Sequence, residues 1–252
     1  MELDAKAVLQ VLKEKKIEHF YHANTVQTSC IFLQHGRLLS RGTVDEKEIP
    51  QTSQKSDALD KKYGIWYDIF LDTVDIHARA KLRNLYGPVL FVFDLGVLEK
   101  NWLSTIWITK KNPSNWKDTD SSSDRYFQSV EEFGKTYKKG DFGSTFILRS
   151  AGGVLRLDPH LKEIIVDDPS WEYEGAGVYG QTIGALRASA WQGGLKDISI
   201  KKRVCVTDCQ CKEDYSKILN NEEYEKRYGT QTVKQFFFLD ADVQPDAQEG
   251  LR

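Results

Sequence analysis

"FYHANTVQTSCIFLQHGRLLSRG", residues 20–42, decides how the chain reads. Its first residues complete the short aromatic run IEHFYHA, a composition that suits a strand. From 26 to 35 the pattern turns helical, and Gly36 stands where a helix commonly ends. A strand that closes on Tyr-His and runs straight into a helix sets polar rings at a strand mouth. Two histidines and two arginines, His22, His35, Arg37 and Arg41, crowd this stretch. They either grip a ligand or decorate a surface.

Working outward, "MELDAKAVLQVLKEKK" predicts a helix over 4–16, with Asp4 as its cap and Val8, Leu9, Val11 and Leu12 as its apolar stripe. "SRGTVDEKEIPQTSQKSDALDKKYG" is polar and rich in turn residues, and reads as a long surface excursion, a candidate lid or substrate-facing loop. In "YGPVLFVFDL", residues 89–93 are continuously apolar, as expected of a central buried strand. "KKNPSNWKDTDSSSDR" is loop by composition, and "SVEEFGKTYKK" predicts a helix. "STFILRS", the pair Gly152–Gly153 and "VLRL" predict a hairpin. "EIIVDDP" is a strand stopped by Pro169, and "GAGVYGQTIGALRASAWQGG" mixes glycine loops with a short helix. "DISIKKRVCV" is a strand, "KEDYSKILNNEEYEKRYG" a helix closed by Gly229, and "VKQFFFL" a last strand. Strands and helices without strict alternation predict an α+β fold, with a mixed or antiparallel sheet core and flanking helices. We expect one domain over 1–252, a core at 17–170 carrying a packed extension at 171–252.

The chain has 252 residues, 40% of them hydrophobic, enough to bury a substantial core. A formal charge of -2 supplies no global basic field, so any polyanion site must be local. No apolar run reaches membrane-spanning length, and the N-terminus lacks a signal-peptide pattern, so a cytoplasmic protein with no membrane partner is expected. The cysteines are Cys30, Cys205, Cys209 and Cys211; three of them crowd into "CVTDCQC", a poor disulfide framework, and reduced thiols are expected. No second cysteine pair or histidine cluster accompanies them in sequence, so no metal site is expected.

Three segments stand out as carriers of chemistry: the opening stretch, "DIHARAKLRNLYGPVLFVFD" and "HLKEIIVDDP". Together they resemble the ADP-ribosyltransferase superfamily, and within it the DarT-like enzymes that modify nucleic acid. The matching text is "FYHANT…LQHGRLLSRG", then "IHAR…NLYGPVLFVF", then "KEIIV", over roughly residues 20–168. The resemblance implies an ADP-ribosyltransferase-like fold and NAD⁺ as co-substrate, with a toxin-like or phage-defence role on nucleic acid and a possible neutralising protein partner. It implies Glu163 as the carboxylate that stabilises positive charge on the ribose. Arg79, then Arg83, then Arg37 would hold the pyrophosphate as bidentate donors. Tyr21 and His22 would seat the adenosine-side ribose, and Tyr63 or Tyr86 would stack on nicotinamide.

Plainer readings stand beside these. A strand-end His22 can be a satisfied structural histidine, Arg79 and Arg83 can mark an exposed helical face, and Glu163 can be a solvated strand-edge residue. Asp167 with Asp168, or Asp240 with Asp242, could serve a metal-dependent nuclease instead, or simply occupy turns. "GAGVYGQTIG" lacks the lysine of a phosphate loop. The basic groups Lys110–Lys111, Lys138–Lys139 and Lys201–Lys202–Arg203 read as a solvated face; converging with Trp107, Trp116 or Tyr137, they could hold a nucleic-acid backbone. A non-catalytic binding or antitoxin-like module is the remaining alternative.

Overall fold

The computed structural model describes residues 2–51, 54, 56–173 and 175–219. The strands are β1 (Leu3–Asp4), β2 (His19–Asn24), β3 (Arg37–Leu39), β4 (Ile69–Leu71), β5 (Val89–Asp94), β6 (Thr105–Ile108), β7 (Phe146–Leu148), β8 (Val154–Arg156), β9 (Leu161–Val166), β10 (Glu172–Tyr173), β11 (Ala176–Gly177) and β12 (Ser199–Lys202). The helices are α1 (Ala5–Glu14), α2 (Val26–Gln34), α3 (Arg41–Glu46), α4 (Asp57–Lys62), α5 (Ile76–Ala80), α6 (Ser122–Arg125), α7 (Val130–Thr136), α8 (Val178–Gln192) and α9 (Cys211–Leu219). The fold is α+β, as the strand and helix patterns predict.

The main sheet runs β12-β9-β5-β2, antiparallel except for β12 beside β9. That parallel pair needs a crossover, and α8 supplies it. A second, antiparallel sheet runs β1-β6-β7-β4. One bridge, Tyr21 opposite Asp72, joins the edge of β2 to the chain leaving β4. β5 is central and buried, as its apolar run demands.

α2 is buried on nearly every side because it lies between the main sheet and α8. Thr25 caps it, and Gly36 ends it at a φ of +59°. Phe32 of α2 meets Phe91 of β5 edge-on at 6.3 Å, while Ile183, Leu186 and Ala190 of α8 belong to the same core. At the N-terminus the Asp4 carboxylate accepts from the Ala7 amide at 2.7 Å, and Val8, Leu9 and Leu12 are buried.

Three expectations change. The segment over 146–156 is no hairpin: β7 pairs with β4 and β6, and β8 pairs with β3. A short 3₁₀ turn followed by two glycines with positive φ swings the chain out of one sheet and into another pairing. The polar excursion after Leu39 folds into α3 and α4, with Gly42, Thr43 and Val44 buried. α8 runs for 15 residues despite its internal glycines, since packing against α2 outweighs their low helix propensity. Gly229, the strand over 234–240 and Asp240 and Asp242 lie outside the described residues. Among the described residues no helix is long and apolar enough to cross a membrane, and all four cysteines are free.

Candidate functional site

Among the described residues, a single backbone rung joins the edges of the two sheets. Tyr21 N–H donates to Asp72 O at 2.7 Å, and Asp72 N–H donates back to Tyr21 O at 2.9 Å. Beyond that rung β2 and β4 part. The His22 ring takes over, its Nδ1–H donating to the Phe70 carbonyl at 2.9 Å. A carbonyl only accepts, so Nδ1 carries the proton and Nε2 is left as an acceptor, 3.4 Å from the Asn24 amide nitrogen that donates to it. Burial pushes His22 down to about 4, so the ring is uncharged at neutral pH.

The split opens into a cleft with about 950 Å³ of empty space, its solvent-facing mouth included. His22, Ala23 and Asn24 form one wall, and the former excursion supplies another through Ser40, Arg41 and Asp60. Asp68 and Asp72, flanking β4, and Tyr86, preceding β5, close it. Arg41 is locked side-on to Asp57, with Nε at 2.9 Å and Nη2 at 2.5 Å, and its guanidinium lies 5.7 Å from the centre of the Trp66 ring. Burial raises Asp72 to about 7, tempered by the Thr145 hydroxyl that donates to it at 3.3 Å. Burial likewise raises Asp60 to about 6, against a hydrogen bond from Ser56. Asp68 is raised by burial, and Arg149 opposes the shift with donors at 3.1 and 2.9 Å. The cleft therefore combines a neutral imidazole, near-neutral carboxyls, amides and hydroxyls, a set suited to a polyhydroxylated, hydrogen-bonding ligand.

Of the residues singled out by sequence, His22 and Tyr86 line this cleft. Tyr21 and Glu163 do not. In the sheet register Tyr21 stands opposite Val92, and Val92 opposite Glu163, while His22 aligns with Phe91 and Ile164. Side chains alternate along a strand, so Glu163 and Tyr21 share one face and His22 points to the other. Burial raises the Tyr21 phenol first, with Asp75, Glu18 and Glu163 adding to the shift. Glu163 is ion-paired with Lys201. Arg79 is exposed, its guanidinium 5.5 Å from the Phe142 ring centre. Arg83 is half-buried near Tyr215, and Arg37 sits in β3 opposite Arg156. Tyr63 belongs to a small aromatic cluster, 5.3 Å from Trp116, and donates its hydroxyl to the Trp116 carbonyl at 2.9 Å.

Among the described residues, two of the three basic groups are taken up in ion pairs, and in the third Lys139 donates to the Lys16 carbonyl at 2.7 Å. Lys110 and Lys111 pair with Glu132 and Asp120, and Lys201 and Lys202 with Glu163 and Asp168. Trp116 and Tyr137 are core residues, and Trp107 is covered by Arg149. Asp167 is no open metal-binding turn. It accepts from Arg203 Nε at 2.5 Å, from Tyr215 at 2.5 Å and from His77 Nδ1–H at 2.7 Å.

That last contact leads to a group absent from the sequence reading. The expectation of no metal site rested on the lack of a histidine near "CVTDCQC". The fold supplies one, His77 of α5, whose Nε2 lies 3.3 Å from Cys209 Sγ and 3.7 Å from Cys205 Sγ. Asn24, Asp60 and Asp72 were also missed, and Arg41 was noted only among the charged groups of the opening stretch. Only Asp72, directly after an apolar strand, carried a positional hint. A scan against models of known families finds none that matches the chain, and a search of curated proteins finds no match.

Proposed function

We propose that the chain is an NAD⁺-dependent ADP-ribosyltransferase built on an ADP-ribosyltransferase-like fold, with the dinucleotide entering the split between β2 and β4. The observation that carries this reading is the state of His22. It is held by Phe70, uncharged, with an acceptor nitrogen turned into a cleft of ribose-compatible groups. Ala23 supports the reading further, for it lines the cleft yet shares its sheet face with Tyr21 and Glu163. Glu163 stands two strands from β2 on the sheet face opposite His22, so this reading requires the nicotinamide end of the dinucleotide to reach around the end of β2 to it.

In the reaction the bond from ribose C1′ to the nicotinamide nitrogen breaks, and its electron pair leaves with nicotinamide. Positive charge spreads over C1′ and the ring oxygen, where the Glu163 carboxylate stabilises it. The acceptor's nucleophilic atom then bonds to C1′ and gives up its proton to that carboxylate. Tyr86 would pack against a planar base, and the neutral His22 Nε2 would exchange its long contact with the Asn24 amide for a ribose hydroxyl. The acceptor class we propose is nucleic acid, with NAD⁺ hydrolysis as the background reaction.

Nicotinamide release and acceptor labelling from radiolabelled NAD⁺ test this. Glu163→Gln is expected to lower turnover by ~100-fold or more, the scale of lost transition-state electrostatics. His22→Ala is expected to raise KM about tenfold with a smaller effect on kcat. If wild type neither turns over NAD⁺ nor gains thermal stability from it, the proposal fails. If Asp72→Asn abolishes turnover while Glu163→Gln spares it, the reacting carboxylate lies inside the cleft and the assignment to Glu163 is wrong.

A further inference from the structure

His77, Cys205, Cys209 and Cys211 bring four donor atoms within 4.8 Å of one another, from segments more than 120 residues apart. Cys205 Sγ and Cys211 Sγ are 3.6 Å apart, too far for a disulfide, whose sulfurs would sit at about 2.05 Å. They are near the separation that a tetrahedral ion imposes. Zinc–sulfur bonds of about 2.3 Å and zinc–nitrogen bonds of about 2.0–2.1 Å put ligand pairs ~3.6–3.8 Å apart at tetrahedral angles. The observed 3.6 and 3.7 Å fall there, and 3.3 Å lies just short of it. We propose that these four residues form a closed, structural zinc site.

The surroundings carry the argument as much as the four donors. The Asp167 carboxylate accepts His77 Nδ1–H at 2.7 Å, so that Nε2 is the nitrogen turned toward the sulfurs. A carboxylate that orients a ligating imidazole is the usual outer partner of a zinc-bound histidine. Asp167 is itself held by Arg203 and Tyr215, and Arg203 also donates to Asp75 at 2.7 Å, the residue that caps α5. The histidine is thus fixed in place and orientation before any ion arrives. The cysteine segment is docked independently: Gln210 N–H donates to the Lys81 carbonyl at 2.8 Å, and Lys81 pairs with Asp208. Three thiolates and one imidazole in tetrahedral array select zinc over the hard cations, which take oxygen ligands. With four protein ligands no position is left open for water or substrate, which makes the site structural rather than catalytic. Its mechanical effect is to staple the chain between β12 and α9 onto α5. Among the described residues this is the single group of its kind.

The test uses the full chain, purified under reducing conditions without chelator, and measures metal by inductively coupled plasma mass spectrometry. About one zinc per chain is expected. Metal-stripped wild type titrated with cobalt(II) should develop the intense visible bands of tetrahedral thiolate coordination at one equivalent. Cys209→Ser should weaken cobalt binding at least tenfold, and Asp167→Asn by about 10–100-fold through the freed imidazole. Cys30→Ser, which changes a buried thiol in α2 outside the group, should bind as wild type does. If a serine variant fails to fold, the wild-type cobalt spectrum still decides. Folded wild type with neither zinc nor a tetrahedral cobalt spectrum overturns the proposal, as does equal binding by Cys209→Ser and Cys30→Ser. None of these readouts involves NAD⁺, so the zinc site and the transferase reading stand or fall separately.

Discussion

Two histidines, half-buried His22 and buried His77, meet opposite fates in one chain. Around His22 burial acts almost alone: the ring has a backbone carbonyl and an amide for company, and it is pushed down to about 4. Burial presses the same way on His77, but the Asp167 carboxylate at 2.7 Å outweighs it and the ring is raised above its ordinary value. Desolvation is common to both, and the difference lies in what the surroundings offer. Beside its ion-paired Arg41 and Asp68, the cleft keeps one imidazole uncharged and raises two carboxyls toward neutrality. It leaves the Gln51 side-chain oxygen without a partner among the described residues, as a site for an outside ligand must. The cluster offers charged partners that saturate one another, as a structural joint must.

The sharpest way to break this comparison is to neutralise one aspartate in each region. Asp167 has three side-chain partners and is buried beside Arg203. Asp167→Asn removes one of the two anions, Asp75 being the other, that compensate a buried guanidinium and should cost about 3 kcal/mol, the low end of the penalty for breaking a buried pair. Asp72 is already raised to about 7, with the Thr145 hydroxyl as its side-chain partner. Its folded form holds the proton about three pH units more tightly than the unfolded form, so Asp72→Asn should raise stability at pH 7, by about 3 kcal/mol. Urea unfolding of both variants checks the contrast; equal costs would erase it.

The β2–α2 unit was legible because aromatic composition, helical spacing and a glycine stop agree within one short stretch. β5 was legible because only a central strand sustains five apolar residues in a row. The cleft was not, because its second wall comes from Arg41 and Asp60 in a segment whose polarity reads as solvent-exposed. Which face Glu163 takes follows from the pairing register of β5 and β9, with its irregularity between Val92 and Phe93, and local pattern does not encode that. The hairpin reading failed because the strands flanking Gly152–Gly153 find better partners elsewhere. His77 was invisible as a cysteine partner because 128 residues separate it from Cys205.

A backbone lesion gives a second, smaller contrast. Gly87 holds a φ of +148° and packs so closely that an added Cβ would overlap the Asn24 carbonyl at the end of β2. Gly64 also has a positive φ, +69°, but an added Cβ there meets nothing within 4 Å. Gly64→Ala should cost about 1 kcal/mol of conformational strain. Gly87→Ala adds a steric clash and should cost roughly 2–3 kcal/mol, a small-to-large penalty. Because the clash falls on Asn24, it should also abolish any ligand-induced rise in Tm. A Gly87→Ala variant that loses stability yet keeps its ligand response would detach the end of β2 from the cleft.

The finest contrast lies within the cleft and concerns pH. His22 in the folded chain titrates near 4 against about 6.5 unfolded, so between those values the unfolded state binds more protons and stability rises with pH. Asp72 titrates near 7 against about 3.9 unfolded, so there the folded state binds more protons and stability falls with pH. Each slope approaches ~1.4 kcal/mol per pH unit, with opposite sign, and across pH 4.5–6.5 the pair nearly cancels. Asp60, raised to about 6, tilts wild type and variants alike and drops out of the differences. Relative to wild type, Asp72→Asn should gain stability on going from pH 4.5 to 6.5, and His22→Gln should lose it, by ~2–3 kcal/mol each over the window. Parallel curves for all three proteins would mean that neither group titrates where burial puts it. The cleft would then be wetter than its walls imply, and the neutral His22 on which the nucleotide reading depends would be gone.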